Sequence, residues 1–222
     1  MIRNGLQTRR MVVLQNKILK RVVAELPKVN FPGRIFVIYT ESEAKKAVDY
    51  LNKHEMVGVD TETRPSFRRG TTHQVALLQI STHDTCFLFR LNHLGLPDFL
   101  EDFLLNDVLK IGLSLKDDFA MLRKRNNKDP RQGNWIELQD YVRHFGIEEL
   151  SLQKIYALLF GKKISKSQRL SNWEAECLTE AQQLYAATDA WACVEIYAYL
   201  EKLHREGNYR VERIAEETSI NN

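Results

Sequence analysis

The chain has 222 residues, 44% of them hydrophobic and 27% charged, with a formal net charge of +3. Those values exclude wholesale disorder and allow a sizeable core in one generous domain or a domain with a small appendage. Three scattered cysteines, Cys86, Cys177 and Cys193, are too few for a disulfide framework or a cysteine-based zinc site, so a reducing compartment and a cytoplasmic location are expected. No apolar run approaches the roughly 18 residues needed to span a bilayer, and the N-terminus lacks the apolar segment of a signal peptide, so no membrane partner is expected. Charge is uneven: residues 1–24 carry Arg3, Arg9, Arg10, Lys17, Lys20 and Arg21 with no acid, which leaves −3 for the remainder. This basic stretch reads first as a solvated extension, with contact to a polyanion and organellar targeting as the alternatives.

In chain order, residues 28–34 form a lead-in and Ile35 to Tyr39 a strand. Thr40 and Glu43 have capping-box spacing for a helix over 41–53, with Ala44, Ala47, Val48 and Leu51 facing inward. Met56 to Asp60 is a second strand, and Arg64-Pro65-Ser66-Phe67-Arg68-Arg69-Gly70 breaks regular structure. Val75–Ile80 and Thr85–Phe89 read as a hairpin. A helix near 97–105, a short buried strand over 110–113 and a helix over 117–125 follow; residues 126–134 are turn-rich. Helices near 137–144, 151–159 and 179–205 complete the pattern. The fold class is α/β, with a mixed central sheet flanked by helices. The expected division is a lead-in over 1–34, a domain over 35–205 and a tail over 206–222.

The chemistry concentrates in acids. Asp60 and Glu62 are two apart, so a regular strand puts both on one face. Burying such a pair at neutral pH is costly without compensating cations or donors. A third acid lies where the strand at 110–113 gives way to a helix; packing of Leu115, Phe119 and Leu122 favours Asp118, with Asp117 as a helix cap, but the pattern does not separate them. Tyr185 and Asp189, four apart on the last helix, share a face. Four oxygen-donating acids suit two Mg²⁺ or Mn²⁺ ions, with Asp60 bridging the pair and Glu62 holding one beside the attacking water. A phenol with a pKa near 10 is a poor base at neutral pH, so Tyr185 is expected to orient that water. The six histidines form no close ligand pair, and no glycine-rich phosphate loop competes.

Three segments, Val57-Gly58-Val59-Asp60-Thr61-Glu62, Gly112-Leu113-Ser114-Leu115-Lys116-Asp117-Asp118 and Tyr185-Ala186-Ala187-Thr188-Asp189-Ala190, resemble the motifs of the DEDD, or DnaQ-like, 3'-5' exonuclease superfamily. Tyrosine four before the last acid marks its DEDDy branch, and Leu184 stands where the other branch carries histidine. Within that branch the resemblance is to ribonuclease D and the exonuclease domain of the Werner syndrome protein, over about 35–205. It implies an RNase H-like fold, metal-binding roles for Asp60, Glu62, Asp118 and Asp189, a water-orienting role for Tyr185, and release of 5'-nucleotides from the 3' end of DNA or RNA. It also decides for Asp118 over Asp117. Thr63-Arg64-Pro65 stands where Werner-type domains commonly carry tryptophan.

Substrate contacts are expected from Arg64, Phe67, Arg68 and Arg69 near the first motif and from Lys162, Lys163, Lys166 and Arg169 ahead of the last helix. Trp173 is a candidate for stacking on a base, and Gln79 for a hydrogen bond near the scissile group. The alternatives to an active exonuclease are a nucleic-acid-binding module without catalysis and an oligoribonuclease-like enzyme acting on very short chains. No obligate protein partner is implied.

Overall fold

The computed structural model describes residues 11–68, 70, 72–125 and 128–214. The lead-in contains β1 (Val12–Gln15), α1 (Lys20–Glu25) and β2 (Lys28–Val29), followed by β3 (Arg34–Ile38), α2 (Glu41–Leu51), β4 (Met56–Thr63), β5 (Val75–Ser81) and β6 (Thr85–Arg90). Then come α3 (Leu91–Leu94), α4 (Asp98–Leu105), β7 (Leu109–Gly112), α5 (Leu115–Arg123), a 3₁₀ turn at Pro130–Gln132 and β8 (Trp135–Glu137). The chain ends in α6 (Leu138–Arg143), α7 (Leu152–Phe160), β9 (Lys163–Ile164), α8 (Glu180–Glu206) and β10 (Tyr209–Glu212).

Six strands form one sheet in the order β3-β6-β5-β4-β7-β8. Only β5 runs against the others, which makes the sheet mixed. Period-two alternation divides its side chains between two apolar layers. Leu77, Leu88 and Ile111 join residues of α6, α7 and α8 on one face. Leu78, Ile80, Phe89, Val57 and Val59 pack with α2, α4 and α5 on the other. The expected capping box of α2 is present, and Ala44, Ala47, Val48 and Leu51 are its buried residues.

Helix α8 lies unusually close to the sheet. A Cβ on Gly58 would overlap the carbonyl oxygen of Ala190, and Ala186, Ala187, Ala190 and Ala192 are all completely buried. Glycine on the strand and alanines on the helix therefore remove the side-chain layer that normally separates the two elements, and Asp189 is carried down toward β4.

Two features differ from the sequence reading. Strand β4 continues three residues past Asp60, to Thr63, so Glu62 is still within the ladder, opposite Leu77. The described part of the lead-in is no solvated extension. Strand β1 pairs in parallel with β10 at the far end of the chain, and β2 with β9. Asn16 accepts a bond from Glu148 N at 2.8 Å through its carbonyl and one from Ile214 N at 2.8 Å through its side chain, while Ile18 N donates to Glu149 at 2.9 Å. Leu14 and Ile18 are buried. Such pairings join residues more than 130 positions apart, so no local periodicity announces them. Arg3, Arg9 and Arg10 lie outside the described residues.

Candidate active site

Cross-strand register and the close approach of α8 gather the acids. Gly58, Asp60 and Glu62 point to the face that α8 covers, since their partners across the ladder are Ser81, Gln79 and Leu77, and Leu77 packs in the same apolar layer as Ala186 and Ala192. Carboxylate oxygens of Asp60, Glu62 and Asp189 lie within 4.8 Å of one another. Carboxylate oxygens this close on buried elements are the donor set that a hard divalent cation takes. Asp189 is 4% exposed and its Oδ1 is buried without a hydrogen-bond partner, an acceptor that a cation would satisfy. Donor chemistry and spacing therefore fit a hard divalent ion.

Asp118 stands just outside this triad. The chain turns into α5 through Ser114, whose φ of 64° is left-handed, and the N–H groups of Ser114 and Leu115 donate to the Glu137 carboxylate at 2.9 and 2.7 Å. That anchored turn presents Asp118 to β4, where its Oδ1 accepts a short hydrogen bond from the Thr61 hydroxyl. Asp117 is exposed. Thr61, between the two strand acids, was not singled out as functional in the sequence, although its place inside the first motif was the available signal.

Burial in a poorly hydrated cleft shifts every acid upward, and neighbouring carboxylates add to the shift at Asp60 and Glu62. Burial first, then Glu62, Asp189 and Asp118, raises Asp60 well above the usual carboxylate range. Burial, then Asp189 and Asp118, pushes Glu62 up to about 9 against the opposing Arg169. Burial lifts Asp189 to about 7, opposed by a hydrogen bond from Tyr185 and by Lys166. Burial likewise lifts Asp118 to about 6, with the Thr61 bond opposing. The Tyr185 phenol is raised far above its ordinary value by burial and by Asp189 and Glu62, so it stays protonated and donates.

The rim answers the remaining expectations unevenly. Lys166 and Arg169 are exposed on the turn before α8 and act electrostatically on Asp189 and Glu62. Lys163, by contrast, reaches back to the Ala24 carbonyl. Phe67 is 82% exposed beside exposed Arg68, and Arg69 lies outside the described residues. Arg64 is exposed but ion-paired at 3.2 Å with Glu174, which also accepts from His73 at 2.9 Å. Two expectations need correction. Trp173 is completely buried with its ring 6.0 Å from that of Tyr185, so it backs the site and is shut off from a base. Gln79 is also completely buried, which rules out direct contact with substrate. A cavity of about 320 Å³ opens beside Asp60 and Asp189, walled by Ser114, Gln139, Ser151 and Gln153, none of them charged.

Comparison with known proteins agrees with this geometry. A family model described as 3'-5' exonuclease matches residues 35–205. The WRN protein of Mus musculus, named a bifunctional 3'-5' exonuclease and ATP-dependent helicase, is 31% identical over 213 residues, 90% of this chain and 15% of that protein. A 3'-5' exonuclease of Arabidopsis thaliana is 30% identical over 80% of this chain and 67% of its own length. The crystal structure of Escherichia coli RNase D superimposes with a TM-score of 0.67 at 19% identity, over 78% of this chain and 46% of that one, which shows the shared RNase H-like fold. This chain thus spans a small part of WRN and under half of RNase D. With the family model covering most of its length, the chain belongs to the 3'-5' exonuclease family, whose members are hydrolases of phosphodiester bonds.

Proposed function

We propose that this chain removes nucleotides from the 3' end of DNA or RNA, using two Mg²⁺ or Mn²⁺ ions held by Asp60, Glu62, Asp118 and Asp189. The observation that carries the reading is the convergence of three carboxylates from β4 and α8 within 4.8 Å, with Asp118 tethered next to them. Bound cations supply activation of water and stabilisation of charge on the phosphodiester oxygens. The chain's own residues do the rest. Tyr185, kept protonated, orients the attacking water through its hydroxyl and steadies Asp189. Thr61 fixes Asp118, while Lys166 and Arg169 offset the negative charge of an incoming backbone. Phe67, exposed beyond the end of β4, offers a face for the terminal base. Backbone contacts of this kind accept either sugar, and discrimination turns on how a 2'-OH is received. Three free cysteines, Cys86 and Cys193 buried and Cys177 exposed, accord with a reducing, cytoplasmic setting.

A matched panel tests the reading: single-stranded RNA, single-stranded DNA, a 3'-recessed duplex and a dinucleotide, each with Mg²⁺ or Mn²⁺ and with Asp60→Ala as control. The expected result is stepwise loss of nucleoside 5'-monophosphates from the 3' end of the longer substrates, absent in the control. Binding without cleavage identifies a non-catalytic module, and cleavage confined to the dinucleotide identifies an oligoribonuclease-like enzyme.

A further inference from the structure

Gln79 is the most anomalous polar side chain near the site. It lies in β5, a strand whose every residue is buried, and is itself 0% exposed. Neither its amide nitrogen nor its amide oxygen has a hydrogen-bond partner. Buried amides are almost always paired, because leaving one dry and unpaired is more costly than replacing it with an apolar group of the same size. Its neighbours Leu77, Leu78 and Ile80 show what the strand accepts at equivalent positions.

The register of the ladder supplies the missing context. Gln79 is directly opposite Asp60, so the two side chains leave the sheet on the same face with Cβ atoms about 5 Å apart. That is the face covered by α8, where Asp189 Oδ1 is a second buried acceptor without a partner. One uncommitted donor therefore stands beside acids that must converge on cations. Being neutral, it adds no further charge to a cluster already crowded by Glu62, Asp118 and Asp189.

We propose that Gln79 is a positioning residue whose amide nitrogen donates to the Asp60 carboxylate, fixing the orientation in which Asp60 would hold a cation. The amide makes no contact with substrate; it acts through the carboxylate that faces it across the ladder. An outer hydrogen bond of this type typically governs metal affinity about 10- to 100-fold.

This inference rests on the metal-binding reading given above, so its test includes a control for that reading. Gln79→Leu and the closer mimic Gln79→Met are melted in EDTA and in saturating Mn²⁺, and Mn²⁺ binding is titrated calorimetrically, alongside Asp60→Asn. The expected result is a melting temperature in EDTA at or above that of the parent, a smaller Mn²⁺-induced rise, and binding about 10- to 100-fold weaker. Gln79→Met serves if Gln79→Leu does not fold. An unchanged Mn²⁺-induced rise and unchanged affinity, whatever happens to the melting temperature in EDTA, would overturn the proposal and leave Gln79 a packing residue. If Asp60→Asn is equally without effect on Mn²⁺ binding, the metal site itself is misassigned; if Asp60→Asn destroys binding and the Gln79 variants do not, only the positioning role fails.

Discussion

The floor of the site and its rim are built on opposite terms. On the floor, Asp60, Glu62 and Asp189 are held by a strand in the middle of the sheet and a helix pressed against it, and burial raises all three carboxyls. On the rim, Phe67, Arg68, Lys166 and Arg169 sit exposed in segments outside the helices and strands. Buried like charge costs stability without its counter-ions, whereas exposed cations cost little and contribute little until a phosphate arrives. The contrast is why the proposed function assigns catalysis and ion affinity to the floor and grip to the rim.

The sharpest way to break that contrast is Asp60→Ala. Hydrolysis should fall by at least about 10²- to 10³-fold, the range seen when a group that stabilises transition-state charge is lost. The metal-free protein should melt at or above the parent temperature, because one of the repelling charges is gone. A variant that loses activity only because it unfolds would contradict the division. Gly58→Val attacks the floor by geometry: its side chain overlaps the Ala190 carbonyl, so α8 must retreat. Overpacking should cost about 1–3 kcal/mol or more in denaturant unfolding, and activity should drop with Mn²⁺ affinity as Asp189 moves away.

Tyr185→Phe should lower kcat about 10- to 100-fold while Mn²⁺ affinity changes far less than in Asp189→Ala. Equal losses of affinity in both variants would transfer the phenol's role from water to metal. On the rim, Lys166→Ala and Arg169→Ala should raise KM several-fold with kcat nearly constant. Each should flatten the dependence of log affinity on log salt by about 0.7 on a single strand, if each contacts one phosphate.

Much of the floor was legible in the sequence because its parts are local. Asp60 and Glu62 share a face by strand period, and Tyr185 and Asp189 by helix period, so each pair could be placed without knowing the fold. The preference for Asp118 over Asp117 needed the resemblance to the exonuclease motifs, and the structure adds the Thr61 hydroxyl as a physical reason. What stayed hidden depends on contacts distant in the chain. Trp173 and Gln79 were candidates for contact with substrate, but both are completely buried. Arg64 looked free, yet Glu174, 110 residues away, holds it. The β1–β10 pair was invisible for the same reason, since four-residue strands carry no usable period.

Proton linkage gives the most direct test of the central claim that the floor is an acid cluster awaiting cations. The folded carboxyls titrate above the ordinary value near 4, with Asp118 at about 6, Asp189 at about 7 and Glu62 at about 9. These carboxyls therefore bind more protons in the folded state than in the unfolded one between about pH 4 and 9, so the cluster's contribution to metal-free stability is greatest at the acid end and declines as pH rises through those values. A cation must displace the same protons, and its binding gains what the empty cluster loses. Calorimetric titration of Mn²⁺ into metal-free protein at pH 6.5 and pH 8.5 should show tighter binding at the higher pH with protons released to the buffer. Binding that is absent, or indifferent to pH with no proton release, would contradict the account.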